Sequence, residues 1–279
     1  MIRFPFSGFI VVTILPLAVG PASGALLNWP ATSDDWNPLT AGGAYYTDPK
    51  KDYNPDRIDI VGTSTVTAGG WYFDDYGPSS PDTQLMFRMR LSQGNPLGNY
   101  VWQILIDTDG VTSGNTAIDY SLQVNNSGAS QVELLAAVDL GTGQQRGGPN
   151  YNDVEFNTTA LWSGALADYS RIVDPVDDGQ HIGDGTADAW IDWGIPWSEF
   201  AAVTGVAYGS TIQVQLSTSA SHSVINKDHP HDLGPKSPVS GGFSDVILVP
   251  EPASLTLLCI AGVCLLGFYL YRRRNCKAA

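Results

Sequence analysis

The sequence predicts an all-β chain: an antiparallel β-sandwich followed by a single C-terminal transmembrane helix. Three observations predict it. Short segments alternate apolar and polar residues with the period of a strand, best in Gln84–Leu91, where Leu85, Phe87, Met89 and Leu91 share one face and Arg88 and Arg90 the other. Clusters of Gly, Pro, Asn and Asp separate these segments, with no long helical pattern between them. Near the end, Leu255–Tyr271 carries no charge and is followed by Arg272, Arg273 and Arg274.

In chain order, Met1–Gly24 reads as a secretory signal peptide: Arg3, an apolar stretch from Phe9 to Val19, and the small residues Ala22, Ser23 and Gly24. Cleavage is expected before Ala25. Leu26–Asn54, rich in Asn, Asp, Pro, Gly and aromatics, is either an edge strand or an ordered arm. Strands are expected at Ile58–Thr65, Gly69–Asp74, Gln84–Leu91, Tyr100–Asp107, Tyr120–Asn125, Val132–Asp139, Ala189–Trp193, Thr211–Ser219 and Asp245–Val249. Asp107-Thr108-Asp109-Gly110 is a turn signal. One short helix is expected at Pro196–Val203, with Ser198 capping the turn that contains Glu199. Ser221–Phe243 reads as a long loop. The organisation is thus a signal peptide (1–24), an extracellular β-sandwich domain (25–248) and a C-terminal signal (249–279). That signal divides into a motif (249–254), a span (255–271) and a basic tail (272–279).

Composition narrows the function. Removing the signal peptide and everything after Ser254 leaves nine of the 14 basic residues against all 28 acidic ones, a net charge of −19. Phosphate backbones need the opposite sign, so nucleic acid is excluded as an expected partner. Cys259, Cys264 and Cys276 all lie in or behind the span, so the body offers no disulfide, thiolate metal site or cysteine nucleophile. Its stability rests on burial alone, which about 230 residues permit.

The tail is a membrane address. Seventeen uncharged residues rise about 26 Å as a helix, the short end of what crosses a hydrocarbon core. Tyr269 and Tyr271 suit the interface, and the arginines mark the cytoplasmic side. Pro250 and Pro252 keep Glu251 extended and exposed, as a protease substrate requires. Val249, Pro250, Glu251, Pro252, Ala253 and Ser254, then the span, then Arg272–Arg274, together resemble the PEP-CTERM sorting signal of Gram-negative bacteria. The resemblance implies recognition and cutting by an exosortase, an integral membrane cysteine transpeptidase. It also implies transient anchoring in the inner membrane, then release to the cell surface or extracellular matrix.

The body carries a second resemblance. Ile58–Gly62, Leu85–Leu91, Val101–Gly110 with its Asp-Thr-Asp-Gly hairpin, and Asp188–Phe200 follow one another as in DOMON-like, jelly-roll-like sandwiches, which include the family-nine carbohydrate-binding modules. That resemblance implies a sugar-binding sandwich. Some DOMON relatives bind haem through Met and His. Here Met89 lies on the apolar face of its strand, where core packing accounts for it.

Candidate sites follow from side-chain chemistry. Asp107 and Asp109 can present oxygens to a hard cation such as Ca²⁺, although no glutamate stands at the twelfth position of an EF-hand loop. Asp177, Asp178 and Asp184 form a second acidic cluster, which calcium or plain solvation would relieve. Trp71 and Trp190, near acidic loops, are the candidate platforms for a sugar ring. Alternation puts Trp190 and Asp192 on one face and Ile191 and Trp193 on the other, so at least one of the clustered tryptophans is core. His229-Pro230-His231 resembles a weak transition-metal clip. Glutamate is confined to Glu133, Glu155, Glu199 and Glu251, and no hydrolase signature occurs, so no catalytic residue is assigned. The expected function is an exported, exosortase-sorted surface or matrix protein with a non-catalytic sandwich that binds polysaccharide, with structural calcium as its candidate cofactor. The alternative is a secreted enzyme or a haem or metal redox module on the same sandwich.

Overall fold

The computed structural model describes residues 27–49, 55–76, 80, 82–93, 98–111, 118–138, 155–173, 182, 187–225, 227–228 and 243–249. The signal peptide, the acidic cluster Asp177, Asp178 and Asp184, the histidine clip, and the C-terminal residues Pro250, Glu251, Pro252, Ala253, Ser254, Arg272, Arg273 and Arg274 lie outside the described residues. So does the expected span.

Two antiparallel sheets carry the fold. The first runs β1 (Asn37–Pro38), β4 (Gly69–Asp74), β5 (Gln84–Leu91), β11 (Ala189–Pro196) and β10 (Ser170–Val173), in that spatial order. The second runs β13 (Ile247–Leu248), β12 (Thr211–Ser219), β6 (Val101–Asp107), β7 (Tyr120–Asn125), β8 (Gln131–Ala136) and β9 (Trp162–Ala165). A small hairpin, β2 (Thr40–Ala41) with β3 (Ala44–Tyr45), stands apart. Its two-residue turn, Gly42–Gly43, has φ of 59° and 78°, which only glycine adopts without strain and which matches the twist of a tight hairpin.

The core lies between the sheets. Leu85, Phe87, Met89 and Leu91 of β5 and Ile191, Trp193 and Ile195 of β11 meet Trp102, Ile104 and Ile106 of β6, Leu122 and Val124 of β7, and Val214 and Leu216 of β12. These are the alternate residues along each strand, as a shared core face demands. The Trp193 indole N–H donates across the core to the Leu122 carbonyl at 3.1 Å, which ties the sheets together at full burial. An aromatic group closes one end, with Trp197 packed edge-on against Phe73 and Tyr208 at 5.3 and 5.1 Å.

Most expected strands stand where the alternation places them, four with identical ends: Gly69–Asp74, Gln84–Leu91, Tyr120–Asn125 and Thr211–Ser219. Two expectations need correction. Ile58–Thr65 is not a strand: a 3₁₀ turn covers Asp56–Ile58, and Thr63 and Val66 bond each other and reverse the chain. Only isolated bridges, Ile60 to Leu91 and Asp48 to Gly62, remain. Ser198 does not cap the helix. Pro196 holds the cap position of α2 (Trp197–Thr204), and the Trp197 N–H goes to the Thr83 carbonyl at 2.8 Å. The face of β5 that carries Arg88 and Arg90 is closed to solvent. Arg88 is 3% exposed and Arg90 is fully buried, because β1, the N-terminal arm and neighbouring strands cover them. The short helix α1 (Leu166–Tyr169), β9 and β10 lie in a region for which the sequence predicts no element, since Trp162–Val173 shows no clean alternation.

Candidate functional site

On the outer face of the first sheet, register brings charges together that the sequence leaves 104 residues apart. Arg88 stands opposite Asp192, Arg90 opposite Trp190, and Arg171 opposite Asp192. Arg88 donates from Nε and Nη2 to the two oxygens of Asp192 at 3.1 and 3.2 Å, and Arg171 Nε adds a bond of 2.8 Å. Arg90 Nε donates to Asp188 at 2.9 Å. The Arg88 guanidinium lies between two indoles, 4.3 Å from the Trp36 ring centre and 4.6 Å from Trp190. Arginine stacks well there because its planar cation is weakly hydrated.

This layer floors a cavity of about 470 Å³. Trp36, Trp190 and Arg88 form its base, and Tyr45, Asp34 and Thr65 stand among the residues around it. Trp36 and Trp190 are 6% and 4% exposed, and among the described residues neither indole N–H has an acceptor. A buried donor without a partner is costly, so both N–H groups would gain from an oxygen ligand or water. Of the two expected sugar platforms, Trp190 reaches this cavity, beneath Arg88 and Arg90. Trp71 does not line it: it pairs with Phe87, on the core-facing side of β4, and stays half-buried against the core. Sequence reasoning missed Trp36. Its only signal was an Asp-Asp-Trp-Asn-Pro run in the N-terminal arm, and its partners come from strands 50 and 150 residues away.

The acidic hairpin is the second site. Asp107 ends β6 and Asp109 follows one residue on; the fold adds Asp119, just before β7. One carboxylate oxygen from each lies within 4.8 Å of the others. Asp107 Oδ1 accepts the N–H groups of Asp109 and Gly110 at 3.0 and 2.8 Å, with Gly110 at φ 79°. Asp119 Oδ2 accepts the N–H and hydroxyl of Thr108, and Asp109 Oδ1 accepts the Val111 N–H. Burial pushes the Asp107 carboxyl above its ordinary range; the Gly110 and Asp109 N–H groups pull it down, and the Asp109 carboxylate pushes it up.

The C-terminal signal begins inside the body. Leu248 pairs with Thr211 in β13, and Val249 is 1% exposed. The Val249 N–H donates to the Ser210 carbonyl at 3.0 Å, and its carbonyl accepts the Gly209 N–H at 2.9 Å. Pro250 follows at once. Asp245 anchors the same segment, accepting the Gly42 and Gly43 N–H groups at 2.8 Å each.

The family model for the PEP-CTERM protein-sorting motif matches residues 248–274. A search of curated proteins and a search of solved structures each return no match. The match takes in Pro250-Glu251-Pro252, the uncharged run and the three arginines, in the order that the sequence reading requires. The described residues are mostly β, in antiparallel sheets, and run into the first two residues of the match, Leu248 and Val249. The chain is therefore an exported, membrane-passing protein of the Gram-negative type that carries a PEP-CTERM sorting signal, with exosortase as its processing partner.

Proposed function

We propose that the mature protein is a non-catalytic component of the cell surface or extracellular matrix, and that its body, a DOMON-like sandwich, binds a neutral polysaccharide in the Trp36–Trp190 cavity. The cavity itself carries this reading. Its volume of about 470 Å³ suits a small ligand, and such sites combine apolar walls with a few placed polar groups. Tyr45, 38% exposed, offers a ring face, and Asp34 and Thr65 offer oxygens to sugar hydroxyls. The two unpartnered indole N–H groups favour an oxygen-rich ligand. Charge favours a neutral one: Asp192 already balances Arg88, and an exported body at −19 repels polyanions. Among the described residues a single carboxylate, Asp34, lines the cavity, whereas glycoside hydrolysis ordinarily uses a pair.

The test is affinity electrophoresis of the full-length, detergent-purified chain through gels containing neutral or acidic polysaccharides. Retardation by at least one neutral glycan is expected. Asp34→Ala and Tyr45→Ala, both at exposed positions, should each weaken it about tenfold, the value of roughly 1.4 kcal/mol. Retardation by no neutral glycan, or retardation that both variants leave unchanged, refutes the proposal.

A further inference from the structure

We propose that the β6–β7 hairpin holds a calcium ion, with Asp107, Asp109 and Asp119 as its protein ligands. The site is independent of the polysaccharide reading and lies on the other sheet.

The three carboxylates offer six oxygens. Three of them close the turn: Asp107 Oδ1, Asp109 Oδ1 and Asp119 Oδ2 accept hydrogen bonds from residues 108–111. Among the described residues the other three have no donor, and no ion pair neutralises any of the three side chains. Exposed oxygens left in this way need no explanation, since water serves them. Asp107 is different. It is 1% exposed, and its Oδ2 is buried without any partner. A buried anionic oxygen with no donor costs several kcal/mol unless something charged or protic meets it. This orphan is separate evidence from the clustering of acids: it marks a position where a ligand-sized positive charge is missing from the protein's own inventory.

The geometry selects the class of ion. All ligands are carboxylate oxygens, which suit hard cations and not zinc or copper. Calcium binds oxygen at about 2.3–2.6 Å, so two ligands on opposite sides of one ion stand about 4.6–5.2 Å apart. The observed limit of 4.8 Å lets all three share one calcium. Asp109 is exposed and leaves a side open to water, which would complete the six to eight ligands that calcium takes. The ion would also fasten the hairpin, since Asp107 and Asp109 leave β6 while Asp119 enters β7, its N–H bonded to the Ile106 carbonyl. Few ligands and an open side suit the roughly 0.1–1 mM affinity of extracellular modules. A chain that is exported meets its ion outside the cell.

The experiment uses the full-length chain in detergent, stripped with a chelator and desalted. Bound ⁴⁵Ca²⁺ is counted by equilibrium dialysis up to about 10 mM, and thermal melts are run with and without calcium. Asp109→Asn sits at an exposed position and Asp119→Asn keeps an acceptor for Thr108, so both should fold. Wild type is expected to bind one ion more per chain than either variant. At calcium one hundred times Kd this ion should raise the folded-to-unfolded ratio about 100-fold, and the variants should lose that share of the rise in Tm. Counting by difference separates this site from any other acidic cluster. The proposal is overturned if wild type binds no calcium, or if both variants bind as many ions as wild type; a proton shared by Asp107 and Asp109 would then meet the orphan oxygen.

Discussion

Asp192→Asn should cost the protein about 3 kcal/mol. Asp192 is fully buried and balances two cations, Arg88 through two bonds and Arg171 through one. Asparagine keeps the shape but removes the charge, and its amide group turns N–H donors toward guanidinium donors. Arg171 is 31% exposed and recovers water; Arg88, at 4%, does not. Leaving one partner of a buried pair uncompensated costs about 3–5 kcal/mol. The lower figure applies, because the Trp36 and Trp190 rings stay over the Arg88 cation in both states. For a body of this size each kcal/mol lowers Tm by about 2–4 °C, so a fall of about 6–12 °C is expected. The assay is thermal unfolding of the full-length chain in detergent, followed by circular dichroism. Replacing the pair with apolar residues, Arg88→Met with Asp192→Leu, should recover most of the loss, since a buried pair gains little over well-packed hydrophobes. A loss below about 1 kcal/mol for Asp192→Asn, or a double variant less stable than the single one, refutes the account.

Two further predictions concern backbone packing and pH. Gly62→Ala should destabilise by about 1–3 kcal/mol, because a Cβ there would stand 2.6 Å from the Ala68 nitrogen and 2.8 Å from the Tyr46 carbonyl, backbone that cannot yield. Gly128→Ala, with nothing within 4 Å of the new atom, should be neutral in the same urea titration. The Asp245 carboxyl titrates below its ordinary value of 3.8, held down first by the Gly43 N–H, then by Thr40 and the Gly42 N–H. A depressed folded value means that its stabilisation is fully present above the unfolded pKa and is lost as pH falls through the lower folded one. Wild type should therefore exceed Asp245→Asn in Tm at pH 5 and lose that margin as pH drops below about 3.8. An unchanged margin at low pH would show that the Gly42–Gly43 turn does not bind the anion.

The alternation in β5, β7, β11 and β12 made their strands legible, since a strand with one face in a core must repeat with period two. The Asp-Thr-Asp-Gly turn pointed to two of the three carboxylates in the hairpin. Asp119 was invisible because its loop has no fixed ligand spacing, and only the β6–β7 pairing returns it to Asp107. Arg88 and Arg90 were read as a polar face and proved buried, because alternation reports which face differs and not what covers it. Trp36 was missed for the same reason.

The sequence by itself determined the export route. A sorting signal is read by a membrane and an enzyme as a linear string, so Pro250-Glu251-Pro252, the uncharged run and three arginines suffice without a fold. Binding chemistry is a different matter. The Trp36–Arg88–Trp190 stack and the Asp107–Asp109–Asp119 cluster join residues from separate strands, and only register and burial decided which side chains meet and which oxygens and N–H groups lack partners. The tertiary structure also decided where the address is attached. Val249, the first residue of the sorting motif, is buried in the body and bonded to Ser210 and Gly209.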